Sequence, residues 1–262
     1  VIGNVDIAGV REAVKRDGYF IAKSLVPEAT VREIREFWLA EYAKEQPEQV
    51  LIWTPYYGEP SGILFDRSQT HRLFRSYDYL WNPPQHALTR ELALSLSRLR
   101  NRVIETDERD GETFAVDHFA TYVTTTYYPP DGGWLHQHID DVPGHLHWHF
   151  QVPLTFRGTD YASGGLYYFD RAGNRVDVDG AVAPGDVLFF DATQPHGVDP
   201  IGPLAQGDAI GRMQMFAIPT LMEMPHENDR VIDHLSWTRI LKAKIRPLKW
   251  KLLGRPDRRY GE

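Results

Sequence analysis

The sequence predicts a mainly β domain with helices packed along it, and three observations predict that class. Helical periodicity marks the N-terminal part, about residues 6–104. From about residue 113 short β-branched or aromatic segments take over, separated by Gly, Pro and Asp. No internal repeat and no long Gly/Ser/Pro linker divides the 262 residues, so they read as one domain, 1–262. Helices first and strands afterwards suggest a sandwich or barrel with a helical buttress, and the two-sheet jelly roll is the natural candidate.

The elements follow in order. "DIAGVREAVKRDG" (6–18) predicts an amphipathic helix stopped by Gly18, and "YFIAKSL" (19–25) a strand. "PEATVREIREFWLAEYAKEQ" (27–46) predicts a helix with Pro27 in its first turn and Val31, Ile34, Trp38 and Tyr42 on the core face. "LIWTPYYGEPSGILFD" (51–66), rich in aromatics, Gly and Pro, has the composition of a lid loop. "TRELALSLSRLRNRVI" (89–104) places Leu92, Leu96, Leu99 and Val103 on one helical stripe. The β core, about 113–220, is expected in "HFATYVTTTYYPPDGG", "HLHWHFQVPLTF", "GGLYYFD", "GDVLFFD" and "RMQMFAIPT". A basic helical tail, about 230–262, closes the chain.

Composition narrows the function classes. The chain has no apolar run of the ~20 residues that span a bilayer, and its start has no basic-then-apolar signal pattern. With zero cysteines, disulfides and thiolate ligands are excluded, and a cytoplasmic location is expected. Any transition metal must be held by His, Asp or Glu, which suits Fe, Mn, Ni or Zn. A net charge of −7 argues against a nucleic-acid partner and for a small-molecule one. The charge is uneven: residues 240–262 carry eight Lys/Arg against two acids, so the remaining chain is more acidic still. That tail is the one segment suited to an anionic membrane surface, although most such tails are simply solvated.

Five of the 11 histidines, at 136, 138, 145, 147 and 149, fall within "GGWLHQHIDDVPGHLHWHF" (132–150). On a strand, side chains two apart share a face, so Trp134, His136, His138 and Asp140 are expected to point one way. A His-x-Asp pair aims an imidazole and a carboxylate at one point. His196, beyond the strand of "GDVLFFDATQPHGV" (185–198), supplies a third ligand from a distant part of the chain, completing a 2-His-1-carboxylate triad. Sixteen residues on, Arg212 opens the strand "RMQMFAIPT" with a fork suited to a carboxylate.

With these residues the sequence resembles the Fe(II)/2-oxoglutarate-dependent dioxygenases, and among them the phytanoyl-CoA dioxygenase-like branch. "DGYFIAKSLVPEATVREIREFW", "YYPPDGGWLHQHID", "FQVPLTFRGTDYASGGLYYFD" and "GDVLFFDATQPHGV" are similar to that branch's motifs in their order, over about residues 10–220. The resemblance implies a double-stranded β-helix (jelly-roll or cupin-like) core with helices along one sheet. It implies Fe(II) on His138, Asp140 and His196, with 2-oxoglutarate and O2 as cosubstrates. Arg212 would grip the far carboxylate of 2-oxoglutarate, with Thr124 and Gln151 lining its site. Two departures stand out. A gapless match of "LHQH" (135–138) to the family's first motif would make His136 and His138 the pair, whereas the register two residues later gives His138 and Asp140. The spacing from His196 to Arg212 is also long for the branch. Asp140 argues against halogenation, because the related halogenases lack that carboxylate.

Trp53, Tyr56, Trp134, His136, Asp141 and His149 are candidate substrate contacts by position. His145 and His147 are not expected among the ligands. The His, Asp and Trp near the motif suit a hydroxyl- or amine-rich substrate, such as a sugar- or aminoglycoside-type natural product, oxidised by hydroxylation or oxidative cyclisation. Three other readings share features of the chain: a non-oxidative metal-dependent cupin-like enzyme, a carbohydrate-binding jelly roll, and a membrane-associated hydroxylase of a lipid-linked glycan.

Overall fold

The computed structural model describes residues 2–46, 48–49, 61–67, 70–112, 119–140 and 148–221. Those residues form three helices and twelve strands. Helix α1 (Ile7–Asp17) buries Val10, Ala13 and Val14 and ends at Gly18, whose φ of 90° sends its N–H back to the Val14 carbonyl. Strand β1 (Tyr19–Ala22) follows, then α2 (Glu28–Tyr42), which buries the expected Val31, Ile34, Trp38 and Tyr42. Pro27 sits at the helix cap rather than in the first turn. After β2 (Glu48–Gln49) come β3 (Gly62–Arg67) and β4 (His71–Tyr79), and then α3 (Ala87–Val103) with the predicted leucine stripe buried.

The β3–β4 hairpin corrects the expected order of helices first and strands afterwards, and it turns residues 62–66 of the expected lid into strand. Its disguise is chemical. Strand β4, "HRLFRSYDY", alternates in burial over residues 71–75, but His71 and Arg75 flank Leu73 at buried positions, so its inward side does not read as apolar.

The remaining strands are β5 (Phe119–Tyr128), β6 (Trp134–His138), β7 (Trp148–Pro153), β8 (Ser163–Phe169), β9 (Arg175–Asp177), β10 (Val187–Asp191), β11 (His196–Gly202) and β12 (Arg212–Leu221). They join in the order β1-β10-β7-β12-β5-β4-β6-β11-β8-β9, with β3 on β4 and β2 on β3. The sheet is antiparallel except at β2–β3 and curls at a narrow joint, where β4 meets β6 through His71–Leu135 and Arg72–Trp134. Its two halves form the layers of a double-stranded β-helix, as expected. The first half, β1 to β4, carries the helices: α3 packs on β12, β7 and β5, and α1 on β1 and β10. Trp38, Leu92, Leu96, Phe150, Val152 and Met215 are central to that large apolar core. A smaller cluster, including Leu73, Tyr128, Leu166, Tyr168 and Phe190, joins residues of both halves of the sheet.

Candidate metal centre

Strands β6 and β11 pair so that His138 faces His196 and Leu135 faces Val198. Three steps along β6 therefore match two along β11, and the extra residue is a β-bulge. It breaks the simple alternation expected of Trp134, His136, His138 and Asp140. Leu135 and His138 both line the central cavity, whereas Trp134 and His136 do not. The His136 ring instead donates through Nδ1 to the Thr70 carbonyl at 3.1 Å. Asp140 lies just beyond β6, held by its N–H on the Ala192 carbonyl at 2.8 Å.

The fold brings His138, Asp140 and His196 together, with one ligand atom from each within 4.8 Å of the others. Among the described residues no other cluster of three or more His, Asp or Glu is close enough to hold a metal. Both imidazoles are preset. His138 Nδ1 bonds the His136 carbonyl and His196 Nδ1 bonds the Gln194 carbonyl, each at 2.9 Å. A carbonyl only accepts, so Nδ1 carries the proton in each ring and Nε2 presents a lone pair. Those Nε2 atoms lie 3.7 and 3.6 Å from the two oxygens of Asp140. His149, from β7, places Nε2 3.1 Å from Asp140 Oδ2. Asp140 Oδ1 is buried with no hydrogen-bond partner, an arrangement a divalent cation would satisfy.

The electrostatics agree. Burial pushes the His138 imidazole down to about 4, helped by neighbouring His196 and opposed by Asp140. Burial alone would raise the Asp140 carboxyl, but the imidazoles of His149, His196 and His138 outweigh it and hold it well below the usual carboxylate range. A neutral His138 imidazole beside an ionised Asp140 carboxylate is the pairing of protonation states a metal needs.

Gln151 lines the same cavity, and Thr124 is fully buried on β5 opposite Phe216, a cavity residue. Arg212 is elsewhere engaged. Its Nε and Nη2 grip both oxygens of Asp179, at 2.6 and 3.1 Å, and its Nη1 donates to Gln214 Oε1 at 2.6 Å. Burial opposes its charge, but Asp179 more than compensates and raises its affinity for the proton. Arg212 does not line the cavity; Arg75, Gln214 and Phe190 do, and no motif in the sequence marks any of the three as a cavity residue. The alternating pattern of β4 was the one available signal for Arg75. Trp53, Tyr56, Asp141, His145, His147 and the tail at 230–262 lie outside the described residues.

No protein-family model matches the chain, and no curated sequence does. Solved structures do. A prolyl-4-hydroxylase from Pseudomonas putida aligns with a TM-score of 0.54 at 16% identity, over 81% of this chain and 97% of that one. AviO1 from Streptomyces viridochromogenes Tue57 aligns at 0.51 and 18%, over 85% and 99%. The epimerase SnoN, in complex with Fe3+, alpha-ketoglutarate and nogalamycin RO, aligns at 0.51 and 13%, over 81% and 83%. At these identities the likeness is one of fold. Among the described residues no helix is long and apolar enough to cross a membrane.

Proposed function

We propose that the chain is an Fe(II)- and 2-oxoglutarate-dependent oxygenase that oxidises a polar small molecule. The carrying observation is the buried triad itself: two histidines with Nε2 free of the proton and a carboxylate oxygen without a hydrogen-bond partner, converging in a cavity of a double-stranded β-helix. Two neutral imidazoles and one carboxylate suit Fe(II) with coordination positions left for other ligands. When bound, iron and 2-oxoglutarate supply the oxidising chemistry, in which O2 is consumed, the oxo acid becomes succinate and CO2, and the substrate is oxidised.

The chain's own residues do the positioning. The carbonyls of His136 and Gln194 set the tautomers of His138 and His196, and His149 holds one oxygen of Asp140 so that the other is presented. Phe190 packs its ring 5.3 Å from that of His196 and closes the apolar side. Gln151 and Thr124 offer polar groups to the cosubstrate. Support for the chemistry comes from SnoN, a fold relative that holds Fe3+ and alpha-ketoglutarate. The order of motifs favours the phytanoyl-CoA dioxygenase-like branch. The polar surroundings favour a hydroxyl- or amine-rich natural product undergoing hydroxylation or oxidative cyclisation, and SnoN, from nogalamycin biosynthesis, is a precedent for such a setting.

Anaerobic addition of Fe(II) and then 2-oxoglutarate to the metal-free protein tests this. A weak visible charge-transfer band is expected, absent in His196→Ala. Iron binding with no band in the native protein would replace this reading by a non-oxidative cupin-like enzyme.

A further inference from the structure

We infer that the outer face of the sheet carries a second small-molecule site, a groove behind the metal centre that holds one protonated amino-sugar ring. The groove has a volume of about 210 Å³, and Gln137, Phe169, Asp170, Arg171, Gln194 and Pro195 are among its lining residues. Pockets for drug-sized molecules start at roughly 300 Å³, so this one has room for a single ring. It is separate from the triad's cavity, since the two share no lining residue. It is also adjacent: Gln137 precedes His138 on β6, and Pro195 precedes His196 at the start of β11. Neighbours along a strand point to opposite faces, so Gln137 is exposed in the groove while His138 lines the cavity. The groove's walls are held without a ligand. The Phe169 N–H bonds the Pro195 carbonyl at 2.9 Å, tying the end of β8 to β11. Arg171 Nη2 and the Thr193 hydroxyl both donate to Asp191, each at 2.7 Å. The Gly173 N–H closes the β8–β9 turn on the Asp170 carbonyl at 2.9 Å. Walls set in advance reduce the ordering that binding costs.

The lining supplies what an amino sugar requires. Phe169, with Tyr167 edge-on at 6.1 Å, and Pro195 form an apolar wall for the C–H face of a ring. The side-chain amides of Gln137 and Gln194 make no hydrogen bond among the described residues, and each offers an acceptor and two donors to sugar hydroxyls. Charge selects the amine. Arg171 is committed to buried Asp191, so that pair is already neutral. Asp170 has no cation within ion-pair distance among the described residues. Its two oxygens accept from the Asn174 N–H at 2.8 Å and from Asn174 Nδ2 at 3.0 Å, which fixes the carboxylate without neutralising it. One uncompensated negative charge therefore faces the groove, where an ammonium group complements it and a sugar acid is repelled. The site does not depend on the oxygenase reading; it gives the chain an affinity for amine-bearing sugars outside the triad's cavity.

The test is ligand-observed NMR of the metal-free full chain with methyl α-glucosaminide and methyl α-glucoside, which differ by an amine in place of one hydroxyl. Both should bind native protein weakly, the glucosaminide about 3- to 5-fold more tightly, the range of one solvent-exposed ion pair. Asp170→Asn, which keeps an acceptor for the turn, should remove that preference and leave the glucoside as it was. Phe169→Ala should lose most of the binding of both glycosides. Gln137→Ala, at an exposed position that guards against a folding defect, should weaken both. No binding of either glycoside to native protein, a preference that survives Asp170→Asn, or binding unchanged in Phe169→Ala overturns the site. Native protein that prefers the glucosaminide but gives no charge-transfer band with Fe(II) and 2-oxoglutarate would overturn the oxygenase reading and leave this site standing.

Discussion

The two interiors of this molecule are built differently. Between the helices and the first half of the sheet, the core is apolar: Trp38, Leu92, Leu96, Phe150 and Met215 meet there, and Trp38 Nε1 is satisfied by Thr89. Between the two halves of the sheet, Leu166, Phe190 and Tyr128 share space with His138, Asp140, His149, Arg75 and Gln214. Burying charged and polar groups costs free energy unless each is paired. The helical layer offsets that cost, and so the inter-sheet space can be polar enough for chemistry. Stability is concentrated on one side of the sheet and reactivity on the other.

Substitutions in each interior should break that division in different ways. Trp38→Ala should destabilise by about 3–5 kcal/mol, measured by urea unfolding, with iron affinity of the remaining folded protein unchanged. Asp179→Ala, which strands buried Arg212, falls in a similar range, about 3–5 kcal/mol, but Arg212→Leu added to it should restore much of the loss; no chemical rescue of that kind exists for the Trp38 cavity. Smaller is the acid sensitivity of the polar interior. An unfolded histidine takes up its proton near pH 6.5 and folded His138 only near pH 4, so the metal-free fold keeps this contribution above pH 6.5 and loses it as pH falls towards 4. The loss is about 3 kcal/mol, and His138→Leu should flatten that slope in unfolding curves taken between pH 7 and 4. His149→Phe should weaken iron binding by about 10- to 100-fold and, by taking the partner from buried Asp140 Oδ2, destabilise the metal-free fold by about 1–3 kcal/mol. At the small end, Arg175→Ala removes an exposed pair with Asp199 and should change stability by no more than about 1 kcal/mol.

The helices and the triad were legible for one reason: each rests on residue types whose spacing is itself the signal. Leucines at helical intervals and a His-x-Asp pair followed by a distant His retain their meaning without the fold. The bulge in β6 does not, because it exists only in the pairing with β11; His138 lines the cavity there while the His136 ring bonds the Thr70 carbonyl. The partner of Arg212, Asp179, sits 33 residues earlier, and no spacing in the sequence announces that pair. Arg75 escaped notice because the strand carrying it sets an arginine where an apolar residue would mark the buried face. Long-range partnership, rather than residue type, separates what was readable from what was not.

Strand β1 has a consequence for how the chain reaches this state. Its hydrogen-bonded neighbour is β10, with Tyr19 opposite Phe190 and Ala22 opposite Val187. Lys23 and the Ser24 N–H both reach Asp186, the Val26 N–H reaches the Gly185 carbonyl, and the Asp191 N–H reaches Gly18. During synthesis, then, residues 18–26 emerge long before the segment that receives them. Loop closure over so great a separation is slow, so until then α1 has α3 but not β10 to pack against. Strand β10 also lies against β7, which carries His149, and runs into the turn that delivers His196. The nascent chain therefore gains its sheet edge and the last of its three histidine-and-carboxylate ligands in one late step, and an arrested chain ending before residue 185 should have neither.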